Sequence, residues 1–171
     1  MALRAGAPSV PTGTLFAAVL LVPALLIPGF RARLRRLPSP TALVVGATLG
    51  AALLTPGGWL LATGHHPPTA TLSPLLLAAW APAVLLVAAA EEIALRAGIQ
   101  PWLTSALGPA PAIVVTAAVF ATLHYPLYGA VALPLDLGVG VLIGLLRQHT
   151  GSVAACWLAH AIADLGTWWL P

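Results

Sequence analysis

Residues 81–96 read Ala-Pro-Ala-Val-Leu-Leu-Val-Ala-Ala-Ala-Glu-Glu-Ile-Ala-Leu-Arg, an apolar run that ends in two acids and an arginine. The chain of 171 residues holds only four acidic residues. Three of them, Glu91, Glu92 and Asp164, lie in apolar segments beside arginine or histidine. A charged side chain near the middle of a membrane costs on the order of 2.5–3.5 kcal/mol, so the three acids oppose insertion by roughly 8–10 kcal/mol. Acids kept at that cost indicate a functional site.

Composition places the chain among small, all-α integral membrane proteins. It is 60% hydrophobic and 6% charged, with a mean hydropathy of +0.98, whereas soluble domains carry about 25% charged residues. The net charge of +3 arises from seven arginines without any lysine, and four of those arginines lie within residues 31–36. Beside an apolar helix, such a basic cluster is typical of a cytoplasmic loop, and we expect no nucleic-acid partner.

Six apolar segments, each near the roughly 20 residues needed to span a bilayer, predict a polytopic transmembrane helical bundle of about six spanning helices in the cell membrane. The segments cover residues 12–29, 41–62, 73–97, 109–126, 131–147 and 153–170. Basic residues after the first segment predict an uncleaved anchor with its N-terminus outside. We divide the chain into N-terminal transmembrane helices with a basic cytoplasmic loop, residues 1–72, and a core that carries the polar clusters, residues 73–171.

Three of the predicted helices each carry a pair of residues four positions apart, and such pairs share one helix face. The pairs are Glu92 with Arg96, Phe120 with His124, and His160 with Asp164. Together with Glu91, which points about 100° away from Glu92 on its helix, they can supply a general base, an oxyanion stabiliser and orienting groups. We expect a catalytic cavity between the third and sixth helices. Each pair could also be structural, as a buried ion pair or a satisfied core histidine.

The depth of these clusters leaves two arrangements open. If the third segment runs inward, Glu91 lies toward its cytoplasmic end, whereas His124 falls near the far end of the fourth segment. For the two residues to meet, either the helix continues past Arg96 as an amphipathic stretch to about Ser105, or the fourth segment enters obliquely.

Two small-residue stripes favour close helix packing. Gly46-x-x-x-Gly50 and Gly140-x-x-x-Gly144 each place two glycines on one helix face, which lets helices approach closely. We interpret both as packing within the chain rather than as a dimer interface, and the oligomeric state stays open. Asp136, near the start of the fifth segment, is either a capping partner or a group that supports the site.

Three motifs, in this order, resemble those of the CPBP family, the CAAX protease and bacteriocin-processing family of Abi-type intramembrane proteases. The motifs are Glu-Glu-x-x-x-Arg at 91–96, Phe-x-x-x-His at 120–124 and His-x-x-x-Asp at 160–164. The flanking text is similar too, with Arg-Ala-Gly-Ile-Gln at 96–100 and Gly-Leu-Leu-Arg-Gln-His-Thr-Gly-Ser at 144–152. The resemblance covers roughly residues 73–170, and the first two segments lie outside it.

The resemblance implies a membrane-embedded CAAX-type endopeptidase that hydrolyses a peptide bond with a glutamate-activated water. Glu91 would activate the water with help from His124. His160 and Asp164 would stabilise the tetrahedral oxyanion. Glu92 and Arg96 would hold these groups in place. The catalytic residues implied are therefore Glu91, Glu92, Arg96, His124, His160 and Asp164.

Asp164 departs from the pattern of the CAAX endopeptidase of the endoplasmic reticulum, whose last motif ends in Asn, although bacterial relatives often carry Asp there. An ionised Asp cannot donate a hydrogen bond to an oxyanion. Asp164 is therefore either a protonated donor, the role that the resemblance favours, or an anion that orients His160.

Other chemistries use the same residues. Glu91, His124 and His160 could ligate zinc, because two imidazoles and one carboxylate form a known catalytic set. The chain has no His-Glu-x-x-His pair, and we favour a metal-free site with no cofactor. A non-enzymatic immunity or proton-coupled transport protein could use the residues as a relay, but a transporter would more naturally show internal repeats, and none is apparent.

The expected partners are the lipid bilayer and a peptide or membrane-protein substrate. A prenylated C-terminus, a bacteriocin leader and a membrane-protein segment are all compatible with the motifs. The Ala-, Leu-, Pro- and Arg-rich, lysine-free composition is typical of a GC-rich bacterial genome, where prenylation is uncommon. We therefore favour a substrate without a prenyl group.

Overall fold

The structure, a computed structural model, describes residues 10–27, 29–34, 37–62 and 74–166, and all regular secondary structure within these ranges is helical. The predicted all-α class is confirmed. The helices are α1 (Val10–Ala24), α2 (Phe30–Leu34), α3 (Pro40–Ala62), α4 (Pro74–Glu92), α5 (Gln100–Leu107), α6 (Pro109–Tyr128), α7 (Leu133–Thr150) and α8 (Val153–Gly166). A π-helical turn, Ile93–Ile99, joins α4 to α5, and a 3₁₀ turn, Ala130–Ala132, precedes α7.

The third predicted segment continues well beyond its expected end. From Pro74 the chain stays helical through the π-turn to Leu107, a length of about 50 Å at 1.5 Å per residue. Gly108, with φ +86°, then reverses the chain into α6, which packs against α5. Of the two arrangements left open by the sequence, the continuing helix is therefore the one that forms.

The continuing helix and α6 are the two arms of a hairpin whose turn is Gly108. Glu91 on one arm and His124 on the other lie almost equally far along the chain from that turn. Because the two arms run antiparallel, this near-equal spacing brings the two side chains to a similar level.

Glycines set the closest helix contacts. A Cβ on Gly46 would lie 2.5 Å from the carbonyl oxygen of Ala155, so α3 packs backbone to backbone on α8. A Cβ on Gly140 would lie 2.8 Å from the Cα of Ala117, which brings α7 equally close to α6. Both small-residue stripes thus pack within the chain, as predicted.

Two residues cap the helix ends at the connection from α7 to α8. Gly151, with φ +65°, ends α7 in the left-handed conformation that favours glycine. Ser152 then caps α8, because its Oγ accepts a hydrogen bond from the backbone N–H of Ala155 at 3.1 Å. This tight connection sets the start of the helix that carries His160 and Asp164.

The basic cluster is not a plain loop where the structure describes it. Residues Phe30–Leu34 form the short helix α2, and Phe30 is buried. Arg33 donates a hydrogen bond from Nη1 to the carbonyl oxygen of Ala97 at 3.0 Å. The expected loop therefore includes a helical turn that packs on the core, while Arg35 and Arg36 lie outside the described residues.

Two helices in the described ranges are long and apolar enough to cross a membrane. They are Pro109–Pro126 in α6 and Ala130–Thr150, which joins the 3₁₀ turn to α7. Shorter apolar helices cover Gly13–Val22, Pro40–Thr55 and Val153–Gly166. Length and composition thus support two of the six predicted spans.

Candidate active site

The acid pair lies at the end of α4, inside the bundle. Glu91 is 4% exposed, and Glu92 and Arg96 are fully buried. The Nε of Arg96 donates to Oε2 of Glu92 at 3.2 Å, one helical turn apart. The predicted ion pair is therefore present, and it leaves the second oxygen of Glu92 for another partner.

The π-turn that carries Arg96 is held by arginines from two other helices. A π-turn widens the helix and disturbs its regular ladder of hydrogen bonds. The carbonyl oxygen of Arg96 accepts a hydrogen bond from Nε of Arg147 on α7 at 2.9 Å. The next carbonyl, that of Ala97, accepts the bond from Arg33 on α2. These contacts hold two successive carbonyl groups of the turn.

Arg96 and Gln100 also donate hydrogen bonds to backbone carbonyl groups of α7. Nη2 of Arg96 donates to the carbonyl oxygen of Gly140 at 3.1 Å, and Nε2 of Gln100 donates to that of Gly144 at 3.0 Å. Since glycine has no Cβ, a side-chain donor from a neighbouring helix can reach its carbonyl. No role was predicted for Gln100, but its spacing from Arg96 equals the spacing of the two glycines, and this match was a usable signal.

His160 is surrounded by three carboxyl groups. Its Nδ1 donates to Oε1 of Glu92 at 3.0 Å, while its Nε2 lies 3.7 Å from Oε2 of Glu91 and 3.4 Å from Oδ2 of Asp164. With Nδ1 as donor, an unprotonated Nε2 would turn a lone pair toward two acids. The geometry therefore requires a proton at Nε2 or on one of the facing carboxyl groups.

His124 has one ring nitrogen assigned to the backbone. Its Nδ1 lies 2.9 Å from the carbonyl oxygen of Phe120, which can only accept, so Nδ1 carries the proton. In the neutral ring, Nε2 is then a proton acceptor. The ring of Phe120 packs beside it with centroids 4.3 Å apart, as the spacing predicted.

The three helices converge on one point. One donor atom each from Glu91, His124 and His160 lies within 4.8 Å of the other two, and the two imidazole centroids are 6.5 Å apart. The contacts described above add Glu92, Arg96 and Asp164. The structure therefore brings all six residues of the sequence-predicted site together.

A family model described as type II CAAX prenyl endopeptidase Rce1-like matches residues 71–166, more than half of the chain. The chain belongs to this Rce1-like family. No curated protein and no solved structure matches it significantly. Rce1-like proteins are CAAX proteases of membranes, so this member is a hydrolase of the CAAX endopeptidase class with a peptide or protein substrate.

The Rce1-like site has a donor set that a metal ion could use. Two ligands at about 2.1 Å from a zinc ion lie at most about 4.2 Å apart, so the set of Glu91, His124 and His160 would have to contract slightly. The Nδ1 contacts of both imidazoles, to a carboxylate and to a carbonyl, are of the kind that orient zinc-bound histidines. The residues are compatible with a bound zinc ion, but their arrangement does not require one.

Two further residues adjoin the site: Tyr128, to which no role was assigned from the sequence, and Asp136. The ring of Tyr128 stacks on that of His124, with centroids 5.8 Å apart and planes 20° apart. Asp136, in the first turn of α7, interacts electrostatically with His124 and Asp164, and its buried Oδ2 has no hydrogen-bond partner among the described residues. Of its two predicted roles, the structure favours support of the site. For Tyr128, the four-residue spacing from His124 was the available signal.

Proposed function

We propose that this Rce1-like protein is a membrane endopeptidase in which Glu91 takes a proton from water as the water attacks a peptide carbonyl. The observation that carries the proposal is the meeting of one carboxyl group and two imidazoles within 4.8 Å. A water molecule in that space lies within reach of more than one of them, because hydrogen bonds span about 2.6–3.2 Å. A positioned base of this kind contributes about 10²–10⁴-fold to the rate.

His124 assists Glu91 in this mechanism. Its Nδ1–H is held by the carbonyl of Phe120, so Nε2 can accept a hydrogen bond from the same water and orient it for attack. The carbonyl carbon gains the water oxygen while its π electrons move onto the carbonyl oxygen. The proton held by Glu91 then passes to the leaving amine as the C–N bond breaks.

His160 stabilises the oxyanion that forms. Its Nδ1 is anchored on Glu92, so a proton on Nε2 is directed into the site. Asp164 is 42% exposed on its side chain and lies 3.4 Å from Nε2, where water can solvate a negative charge. This supports Asp164 as an anion that favours the imidazolium of His160, the second of its two sequence-predicted roles.

We further propose six membrane crossings, formed by α1, α3, α4, α6, α7 and α8, with the catalytic cavity among the last four. Apolar side chains on the outer helices support this topology, since Leu15 on α1 is 64% exposed and Val44 on α3 is 65% exposed. Such surfaces suit contact with lipid. The substrate would be a peptide or membrane-protein segment. The lysine-free composition is typical of a GC-rich bacterial genome, where prenylation is uncommon, and it therefore favours a substrate without a prenyl group.

The test is turnover by the purified full chain in proteoliposomes. The probes are a quenched fluorescent peptide ending in Cys-aliphatic-aliphatic-X, with and without a farnesyl group on the cysteine, and a library of membrane peptides. We expect Glu91→Gln to lower cleavage by at least roughly 10²-fold with an unchanged melting curve. Near-wild-type cleavage by the folded variant would remove Glu91 as the base, and an inactive wild type would favour the immunity or transport alternative.

Zinc-dependent proteolysis is the second candidate, favoured by the donor set of Glu91, His124 and His160. A metal-free site predicts that dialysis against chelators leaves activity unchanged and that elemental analysis finds well under one zinc per chain. Stoichiometric zinc, with activity that returns only when zinc is restored, would assign these three residues as ligands.

A further inference from the structure

The proposed hydrolysis has few hydrogen-bond donors for its oxyanion. Glu91, Glu92 and Asp164 only accept when ionised. Nε and Nη2 of Arg96 donate to Glu92 and to the carbonyl of Gly140, whereas its buried Nη1 has no hydrogen-bond partner among the described residues. His160 is therefore the donor whose second ring nitrogen, Nε2, faces Glu91 and Asp164. Oxyanion sites usually hold the developing charge with more than one prearranged donor.

Tyr128 carries a hydroxyl group on a ring that stacks against His124. Side chains on a helix lean toward its N-terminus, so the ring of Tyr128 in the last turn of α6 lies over the preceding turn, which carries His124. The stacked geometry of the two rings agrees with this direction. Gly129, with φ +71°, ends α6 directly after Tyr128, and its N–H donates to the carbonyl of Tyr125 at 2.8 Å. The ring is thus positioned by a defined helix end.

The surroundings of the phenol are those of the reaction site. Glu91 on α4, Asp136 on α7 and Asp164 on α8 all act electrostatically on its hydroxyl group, and His124 stacks on its ring. Three helices other than its own therefore present acids to Tyr128. A phenol beside such acids is a proton-bearing group that can donate where a carboxylate cannot.

We propose that Tyr128 is a catalytic residue whose hydroxyl group donates a hydrogen bond to the tetrahedral oxyanion, together with Nε2–H of His160. This role rests on the proposed function and supplies the neutral donor that an ionised Asp164 does not. No proton leaves Tyr128. The carbonyl π electrons move to oxygen as the water adds, the two donors hold the charge, and the electrons return as the amine departs with the proton from Glu91.

The test compares Tyr128→Phe with Tyr125→Phe in the same proteoliposomes and with the fluorescent peptide that the wild type cleaves. Phenylalanine keeps the ring on His124 and removes only the hydroxyl group. Tyr125 is the matched control, because it is the other of the two tyrosines in the chain and is 52% exposed on the same helix. We expect kcat of Tyr128→Phe to fall about 10²–10³-fold, the loss typical of one oxyanion donor, with KM and the melting curve unchanged. Tyr125→Phe should match the wild type.

A second readout separates this role from packing. A phosphinic analogue of the same peptide carries a tetrahedral anionic group, and it should bind Tyr128→Phe more weakly by about the factor lost in kcat/KM. Wild-type turnover or undiminished analogue binding by Tyr128→Phe would overturn the role of Tyr128 alone. A wild type that cleaves none of the probes would overturn the proposed function, and the role of Tyr128 with it.

Discussion

Replacement of Arg96 by alanine tests whether the buried ion pair supports the site. The change removes the charge that compensates Glu92, which is fully buried, and the hydrogen bond to the carbonyl of Gly140. Breaking a buried pair by removing one partner costs about 3–5 kcal/mol. In this case His160 still donates to Glu92, so we expect a value near the lower end of that range. A loss of about 3 kcal/mol lowers the melting temperature of a protein of this size by roughly 6–12 °C.

The assay is thermal unfolding in detergent, followed beside peptide cleavage. Gln100→Leu is the matched control, since Gln100 lies one turn further and donates to the carbonyl of Gly144 in the same manner but without charge. It should cost about 1–3 kcal/mol, the range for a buried acceptor left unsatisfied. The double variant Glu92→Gln, Arg96→Met removes the buried charges, so it should recover stability relative to Arg96→Ala while it stays inactive.

Two results would contradict a stabilising role for the buried ion pair. If Arg96→Ala abolishes cleavage but melts at the wild-type temperature, then Arg96 does not stabilise the bundle through Glu92 and acts on the substrate instead. If the double variant is less stable than Arg96→Ala, the cost arises from lost packing rather than from an uncompensated charge.

Two further predictions address the reaction and the helix contacts. Asp164→Asn should lower kcat/KM by roughly 10²-fold at every pH, because it removes the charge that favours the imidazolium of His160. If the variant instead keeps a pH–rate profile near that of the wild type and extends it to higher pH, Asp164 is a protonated donor. Gly140→Ala should destabilise the chain by about 1–3 kcal/mol through overpacking, since its Cβ would meet the backbone of Ala117 at 2.8 Å. A Cβ on Gly138 has no heavy atom within 4 Å, so Gly138→Ala should keep or raise the melting temperature, because alanine suits a helix interior better than glycine.

Local spacing predicted most of the site. The pairs Glu92–Arg96 and His160–Asp164 are one helical turn apart, so their contact follows once the helices form. Which helices meet at the site was harder to predict, because hydropathy places the end of a segment wherever polar residues begin. The few polar residues after Arg96 find partners in the chain: Nε2 of Gln100 donates to the carbonyl of Gly144 on α7, and Oγ1 of Thr104 donates to the carbonyl of Gln100. The helix therefore continues where hydropathy predicted its end.

The hydrogen bonds that two arginines make to the π-turn were not predictable from one sequence. Arg147 and Arg33 reach the π-turn from other helices, yet one reads as a polar residue at a helix end and the other as part of a basic loop. Tyr128 likewise resembles an interfacial aromatic residue until its helix is placed beside the acids of three others. Such roles depend on which faces meet, and that is a property of packing rather than of local pattern.

The hairpin turn at Gly108 allows the distance between the turn and the site to change while Glu91 and His124 stay side by side. An insertion in one arm alone would slide the carboxyl group of Glu91 past the imidazole of His124 by 1.5 Å per residue. Seven residues added to both arms would instead move the turn outward by about 10.5 Å and rotate each helix face by only about 20°. Paired length changes could thus adapt such a protease to bilayers of different thickness while its reacting groups stay in register.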